Sequence, residues 1–265
     1  MVASTNNHFG PKCLFYRRLG SQGDNLVLIH GLGATSEYFS PLFPELQASY
    51  TLHLLDLEGH GQSPTVTDSV VSIESYANDV AEILTLHSVK RATLIAHSMG
   101  CLVAVQLAIQ HPQLVDKLVL MGPPDTPFPE PVAEHMHSRG DDVRKNGMLE
   151  VADFQSERMT SPKAKASNRV AVAAIRLSLL GQTPEGYAKG CSAMASASSM
   201  DFLKIHCPVL FLAGSEDRIC VPSRCEEYAA QVGGESKVVV LQDVGHFHVF
   251  EDFVGVGQAV TSFIK

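Results

Sequence analysis

Short, mostly apolar runs alternate with longer segments of helical periodicity along most of this chain. The runs are Asn25–His30, Thr51–Asp56, Ala92–Ala96, Lys117–Met121, Val209–Gly214 and Lys237–Leu241, each rich in Leu or β-branched residues. Continuous rather than alternating hydrophobicity is expected of strands covered on both faces. In Ile73–His87, the residues Tyr76, Val80, Ile83, Leu84 and His87 recur at spacings of three and four, the stripe of a helix packed on one side. Met99–Gln110 reads as a second helix, closed by His111-Pro112 because proline disfavours helical backbone in the residue before it. Glu226–Gln231 and Phe253–Ile264 complete the helical set. Strands alternating with helices predict an α/β fold, a mostly parallel, doubly wound sheet with helices on both faces.

The alternation fails between Pro123 and about Ser199. Gly122-Pro123-Pro124 opens this stretch, Pro127, Pro129 and Pro131 follow, and the rest is polar and helix-like until Pro208. Such an inserted block is expected to form a helical lid over the carboxyl ends of the strands, where open α/β sheets bind ligands. The expected organisation is a core built from residues 1–122 and 200–265, with the lid at 123–199.

Composition removes several classes of function. The chain has 265 residues, 45% of them hydrophobic and 18% charged, which suits a globular core and not a disordered chain. Its net charge is -8, with no basic stripe, so nucleic acid and anionic membrane are not expected partners. No apolar run is long enough to span a bilayer, and Met1–Pro11 does not read as a secretory signal. The six cysteines, Cys13, Cys101, Cys191, Cys207, Cys220 and Cys225, form no CxxC pair and are expected to be free thiols in a reducing compartment, the cytosol. Histidines and carboxylates occur singly on separate loops, so neither a metal nor another cofactor is expected. The oligomeric state is not legible.

Ala92–Ala96 runs through His97 into Ser98 and then directly into a helix. A serine nucleophile needs its hydroxyl exposed at a tight strand-to-helix turn, with small residues on either side so that strand and helix approach closely. The usual pattern is G-x-S-x-G. Here Ala96 takes the first glycine position and Gly100 the second. Serine also needs a base oriented by a third group. Glu216 and Asp217 follow the strand Val209–Gly214, and His246 and His248 follow the strand Lys237–Leu241. Gly245 supplies the turn that presents His246. After Asn25–His30, the glycine-rich turn His30-Gly31-Leu32-Gly33 could offer a backbone amide to an oxyanion, Leu32 together with Met99. No Gly-x-Gly-x-x-Gly or Gly-Lys-Ser/Thr accompanies that turn, which argues against a phosphate cradle.

With these residues in place the chain resembles the α/β-hydrolase superfamily. The motifs are His30-Gly31-Leu32-Gly33, the segment Asp56–Ser63, His97-Ser98-Met99-Gly100, Gly214-Ser215-Glu216-Asp217 and Gly245-His246. The resemblance implies the order nucleophile, acid, histidine, which selects Ser98, Asp217 and His246, with Leu32 and Met99 as the oxyanion hole. It implies a structural role for Asp56, and it leaves Glu58 unexplained where the common form has Arg. Val143–Met148 and Thr183–Met194 are similar to the lid of 3-oxoadipate enol-lactonases, although Met159 stands where that family has Trp after the arginine matching Arg158.

The implied activity is hydrolysis of a carboxylic ester or lactone through a Ser-His-Asp acyl-enzyme, an enol-lactone among the options. The same scaffold also hosts C–C bond hydrolases, acyltransferases and slow-turnover small-molecule receptors. The substrate is expected to be a small molecule, with candidate contacts at His30, Gly31, His97, Arg144, Arg158 and Tyr187. A substrate carboxylate would call for an arginine facing the pocket, and Arg139, Arg144, Arg158, Arg169 and Arg176 all fall in the lid.

Overall fold

The structure is a computed structural model that describes residues 8–265. The expectation that the chain starts without a secretory signal falls largely on residues 1–7, outside the described residues. Eight strands form one sheet: β1 (His8–Phe9), β2 (Leu14–Leu19), β3 (Asn25–Ile29), β4 (Thr51–Leu55), β5 (Ala92–His97), β6 (Val115–Met121), β7 (Val209–Gly214) and β8 (Ser236–Leu241). Their spatial order is β1-β2-β4-β3-β5-β6-β7-β8. The six strands from β3 to β8 pair in parallel, and β1 and β2 extend the sheet antiparallel beyond β4. This is the α/β-hydrolase fold, a mostly parallel sheet wound with helices. The apolar runs mark all six parallel strands to within two residues at each end. β1 and β2 are missed because edge strands carry mixed sequence, here with Arg17 and Arg18 inside β2.

Alternate residues of each strand feed opposite faces of the sheet. Val27, Ile29, Leu94, Ala96, Leu118 and Leu120 join the core beneath α2 (Ile73–Leu86) and α3 (Met99–Gln110). Leu26, Leu28, Leu52, Leu54, Ile95 and Val119 join the core on the other face. That face also receives the 3-10 turn Ser36–Leu42, the short α1 (Phe43–Leu46) and α11 (Phe253–Ile264).

From β3 the chain moves outward to β4 and then returns across β3 to β5. The strand order therefore reverses between β3 and β5, and the crevice at such a reversal is where open α/β sheets hold ligands.

Between β6 and β7 the chain inserts five helices, α4 (Glu130–Asn146), α5 (Leu149–Arg158), α6 (Pro162–Ser167), α7 (Arg169–Leu180) and α8 (Pro184–Ala195). Their starts follow local capping rules. Ser161, Asn168 and Thr183 accept amides at the heads of α6, α7 and α8, and Pro162 and Pro184 occupy the first turn, where no amide hydrogen is needed. Two short helices follow β7 and β8: α9 (Pro222–Ala229) and α10 (His248–Glu251). The helix expected from Glu226 begins four residues earlier because Pro222 opens it. Among the described residues, no helix is long and apolar enough to cross a membrane.

Candidate active site

Ser98 stands between β5 and α3 with φ 52° and ψ -121°, a left-handed conformation that costs a serine of order 1–3 kcal/mol. The surrounding fold enforces it. The Ser98 amide donates to Met121 O in β6 (2.9 Å), and its carbonyl accepts the Cys101 amide (2.8 Å). The turn is tight because α3 starts almost against β3. A Cβ at Gly100 would lie 2.3 Å from Ile29 O, which is why that position tolerates only glycine.

His246 and Asp217 reach Ser98 from loops 148 and 119 residues further along the chain. Ser98 Oγ lies 3.0 Å from His246 Nε2, and His246 Nδ1 lies 2.9 Å from Asp217 Oδ2. Asp217 Oδ1 accepts the amides of Ile219 (2.7 Å) and Cys220 (3.2 Å), which fix the carboxylate plane. Burial pushes the Asp217 carboxyl upward, but the facing His246 ring, His248 and the Ile219 amide outweigh it and hold the group well below the usual carboxylate range. Glu216, the other acid at this turn, points its backbone amide to Val244 O and takes no part in the cluster.

The His246 loop is held from several sides. His97 Nε2 donates to His246 O (2.8 Å), and the His246 amide donates to Met159 O (2.8 Å). Glu251 accepts the amides of Gly245 and Ser161, both at 2.9 Å, and that of Phe247 at 3.2 Å. One carboxylate thus fastens the histidine loop to the insertion. Sequence reasoning missed Glu251, although its place one turn after the histidine loop is a signal for a loop anchor. It also missed Gly122. At φ 59° a Cβ there would sit 2.9 Å from both Asp217 Oδ2 and His248 Cε1, so only glycine leaves room for the pair.

Ser98 and His246 open onto a cavity of about 370 Å³ whose wall comes mostly from the insertion. Leu32, Phe128, Met136, Met159, Leu179 and Met194 make it largely apolar. The amides of Leu32 and Met99 make no turn or cap hydrogen bond among the described residues. Of the six residues expected to touch substrate, His97 and Tyr187 line the cavity and four do not. His30 is fully buried beneath it, with Nε2 accepting the Leu57 amide (3.0 Å) and Nδ1 on Gly31 O (2.8 Å). Gly31 packs its backbone against Ser98, where a Cβ would come within 2.9 Å of the serine Cβ. Arg144 is spent on Glu185 (2.6 Å) and Asp141 (3.2 Å), outside the cavity. Arg158 lies over the Phe154 ring at the surface. Helical periodicity could not say which arginine of the insertion turns inward.

The arginines on the cavity wall are Arg139, from α4, and Arg218, the residue after Asp217. Neither forms an ion pair among the described residues. Asp125, the acid on the same wall, is already engaged by Arg224 (2.9 Å) and Tyr228 Oη (2.8 Å). The cavity therefore carries uncompensated positive charge within a chain of 28 acidic and 20 basic residues. No group of His, Cys, Asp and Glu side chains among the described residues converges as a metal site.

The Glu58 departure acquires a physical account. Its carboxylate is buried and pairs with Lys12 Nζ (2.8 Å), which also reaches Asp79 (2.9 Å). Glu58 further accepts the Ser69 hydroxyl, and Lys189 of α8 donates to Ser69 O (3.0 Å) and Val66 O (2.6 Å). The loop at 66–69 thereby joins core to insertion. Asp56 behaves structurally, accepting the amides of Ser36 (2.7 Å) and Gln62 (2.9 Å).

A strained serine after the central strand, a histidine after the last, and a helical insertion before β7 together define a protein of the α/β-hydrolase fold. A profile of the family described as alpha/beta hydrolase fold matches residues 24–140. An uncharacterized protein of Mycobacterium tuberculosis is 38% identical over 104 residues, 39% of this chain and 30% of that protein. The match thus spans less than a third of that relative. Among solved structures, a thermophilic esterase from Thermogutta terrifontis superposes with a TM-score of 0.91 at 24% identity, over 97% of this chain and 96% of that one. The enol-lactonase from Burkholderia xenovorans superposes with a TM-score of 0.85 at 25% identity, over 95% of this chain and 96% of that one.

Proposed function

We propose that this protein is a serine hydrolase of small carboxylic esters or lactones, with Ser98 as nucleophile, His246 as general base and Asp217 as the acid that orients it. The observation that carries the reading is the continuous relay from Ser98 Oγ through His246 to Asp217, at 3.0 and 2.9 Å. His246 takes the hydroxyl proton as Oγ attacks the carbonyl, and later returns it to the leaving oxygen. The amides of Leu32 and Met99 receive the oxyanion, each such donor contributing about 3 kcal/mol to the transition state. Water then attacks the acyl-enzyme with His246 again as base. No cofactor is needed for these steps.

We read residues 123–199 as a lid on a core of 1–122 and 200–265, because that segment walls the cavity and its α8 is tied to the core through Lys189. Within the lactones, the similarity of the insertion to enol-lactonases makes an enol-lactone the particular substrate to try. Arg139 and Arg218 would hold a carboxylate on it, replacing Arg144 and Arg158 in that role. The six free cysteines support action in a reducing compartment, the cytosol.

The test is a hydrolysis screen of enol-lactones, simple lactones and acyl esters with wild type and Ser98→Ala. We expect turnover by wild type and a loss of at least 10³-fold in the variant. A Ser98→Ala protein that keeps more than a trace of the rate would overturn the proposal.

A further inference from the structure

His248 is fully buried two residues beyond His246, and among the described residues neither ring nitrogen reaches a side-chain hydrogen bond of ordinary geometry. An unpaired buried polar side chain costs folding free energy, so its presence calls for a reason. Its surroundings narrow that reason. The ring sits edge-on to His246 (centroids 6.2 Å apart, 63°) and to His97 (5.9 Å, 71°). Its Nε2 faces Asp217 Oδ2 at 3.8 Å, on the oxygen that receives His246 Nδ1. The glycine at 122 keeps the space between ring and carboxylate open, since a Cβ there would meet His248 Cε1 and Asp217 Oδ2 at 2.9 Å each.

The titratable groups facing the ring are thus Asp217, His246 and His97. Burial, acting first, lowers the His248 pKa to about 4; the His246 ring assists, and Asp217 and the His246 backbone oppose. A neutral imidazole has one N–H. Directed at a carboxylate it is attractive, whereas a lone pair in that position is repulsive.

We propose that His248 carries its proton on Nε2 and acts as a second N–H on Asp217, a positioning residue that shares the carboxylate charge with His246. The inference rests on the hydrolase reading above for its kinetic consequence but not for its structural one. Asp217 Oδ1 already takes two amides, and His246 takes one face of Oδ2. His248 faces Oδ2 at 3.8 Å, an electrostatic contact longer than a hydrogen bond that favours the ionised carboxylate as His246 gains and loses its proton. Because His248 draws on the same charge, it moderates the basicity that Asp217 confers on His246. Removing the donor leaves all of that charge to His246 and raises the pKa of the base.

Two measurements test this. In wild-type protein with labelled histidine, long-range ¹H–¹⁵N spectra at pH 7 should show His248 neutral with the proton on Nε2. A proton on Nδ1 overturns the proposal whatever the enzyme hydrolyses. In kinetics, His248→Phe keeps the ring volume and removes the N–H, and His248→Asn keeps a donor. The acidic midpoint of kcat/KM should rise by about 0.5 pH unit in the Phe variant and stay near wild type in the Asn variant. Equal midpoints in wild type and a folded His248→Phe also overturn it. If no ester or lactone is hydrolysed, the proposed function falls, and the tautomer alone decides the role of His248.

Discussion

His97 Nε2 donates to the carbonyl of His246 at 2.8 Å, so the residue before the serine holds the loop that carries its partner histidine. His97 is itself clamped by Tyr38, whose ring stacks on it at 4.4 Å and 28°. Burial, then the nearby His246 and His248 rings, push the His97 pKa well below its ordinary value. The ring therefore stays neutral, and its one N–H is committed to the loop. Replacing His97 by Phe should lower kcat about tenfold, the worth of one buried hydrogen bond in the transition state, while His97→Gln should recover part of it. Steady-state kinetics on any substrate found in the screen checks both.

The charge on the cavity wall makes a separate forecast. With Arg139 and Arg218 in no ion pair among the described residues and Asp125 neutralised, an ester carrying a distal carboxylate should bind better than a neutral one of the same length. The ratio of KM for the neutral ester to KM for the anionic ester should fall about tenfold in the double variant Arg139→Gln, Arg218→Gln. In wild type the same ratio should shrink as salt is added. A ratio indifferent to both changes would remove the carboxylate from the proposed substrate.

Glu58 should matter for stability and not for chemistry. Glu58→Gln leaves Lys12 facing Asp79 alone and takes the charge from the acceptor that holds Ser69 in the 66–69 loop. Because Lys12 is partly exposed, the cost should be about 2 kcal/mol, less than for a fully buried pair. Thermal unfolding should show Tm lower by about 5 °C. An unchanged Tm would mean the network is idle.

Stability should also fall on acidification, starting near pH 6.5. His30, His53, His60, His97 and His248 all titrate below the ordinary histidine value because burial disfavours their charged form, His53 and His248 at about 4 and His60 at about 3. For a depressed pKa the unfolded chain binds the proton first. These groups therefore withdraw stability as pH drops from about 6.5 through the folded values. Asp79 works the other way. Burial raises it to about 6 against the pull of Lys12, so its folded form gains a proton early and offsets part of the loss. His87, also lowered by burial, adds to the same side, and the lowered groups outnumber Asp79, which leaves a net decline. Tm measured from pH 7 to pH 4 checks the sign, and a flat or rising curve would contradict it.

The parallel sheet, the serine turn and the two loops bearing an acid and a histidine were legible in the sequence because each depends on local chemistry. Buried strands need unbroken apolar runs, a tight strand-to-helix turn needs small residues, and a presented side chain needs a glycine beside it. What the chain did not disclose were the relations set by distant segments meeting. Periodicity placed five arginines in the insertion, but only packing decided that Arg139 turns toward the cavity while Arg144 and Arg176 are taken up by nearby carboxylates. The same holds for Glu251 fastening the His246 loop to Ser161, for Gly122 clearing space beside Asp217, and for Lys12 reaching Glu58. Local sequence specifies a residue's backbone and which face it offers. Which partner meets that face is fixed only when segments tens to hundreds of residues apart close on one another, because charge pairing and hydrogen bonding act over a few ångströms of space without regard to separation along the chain.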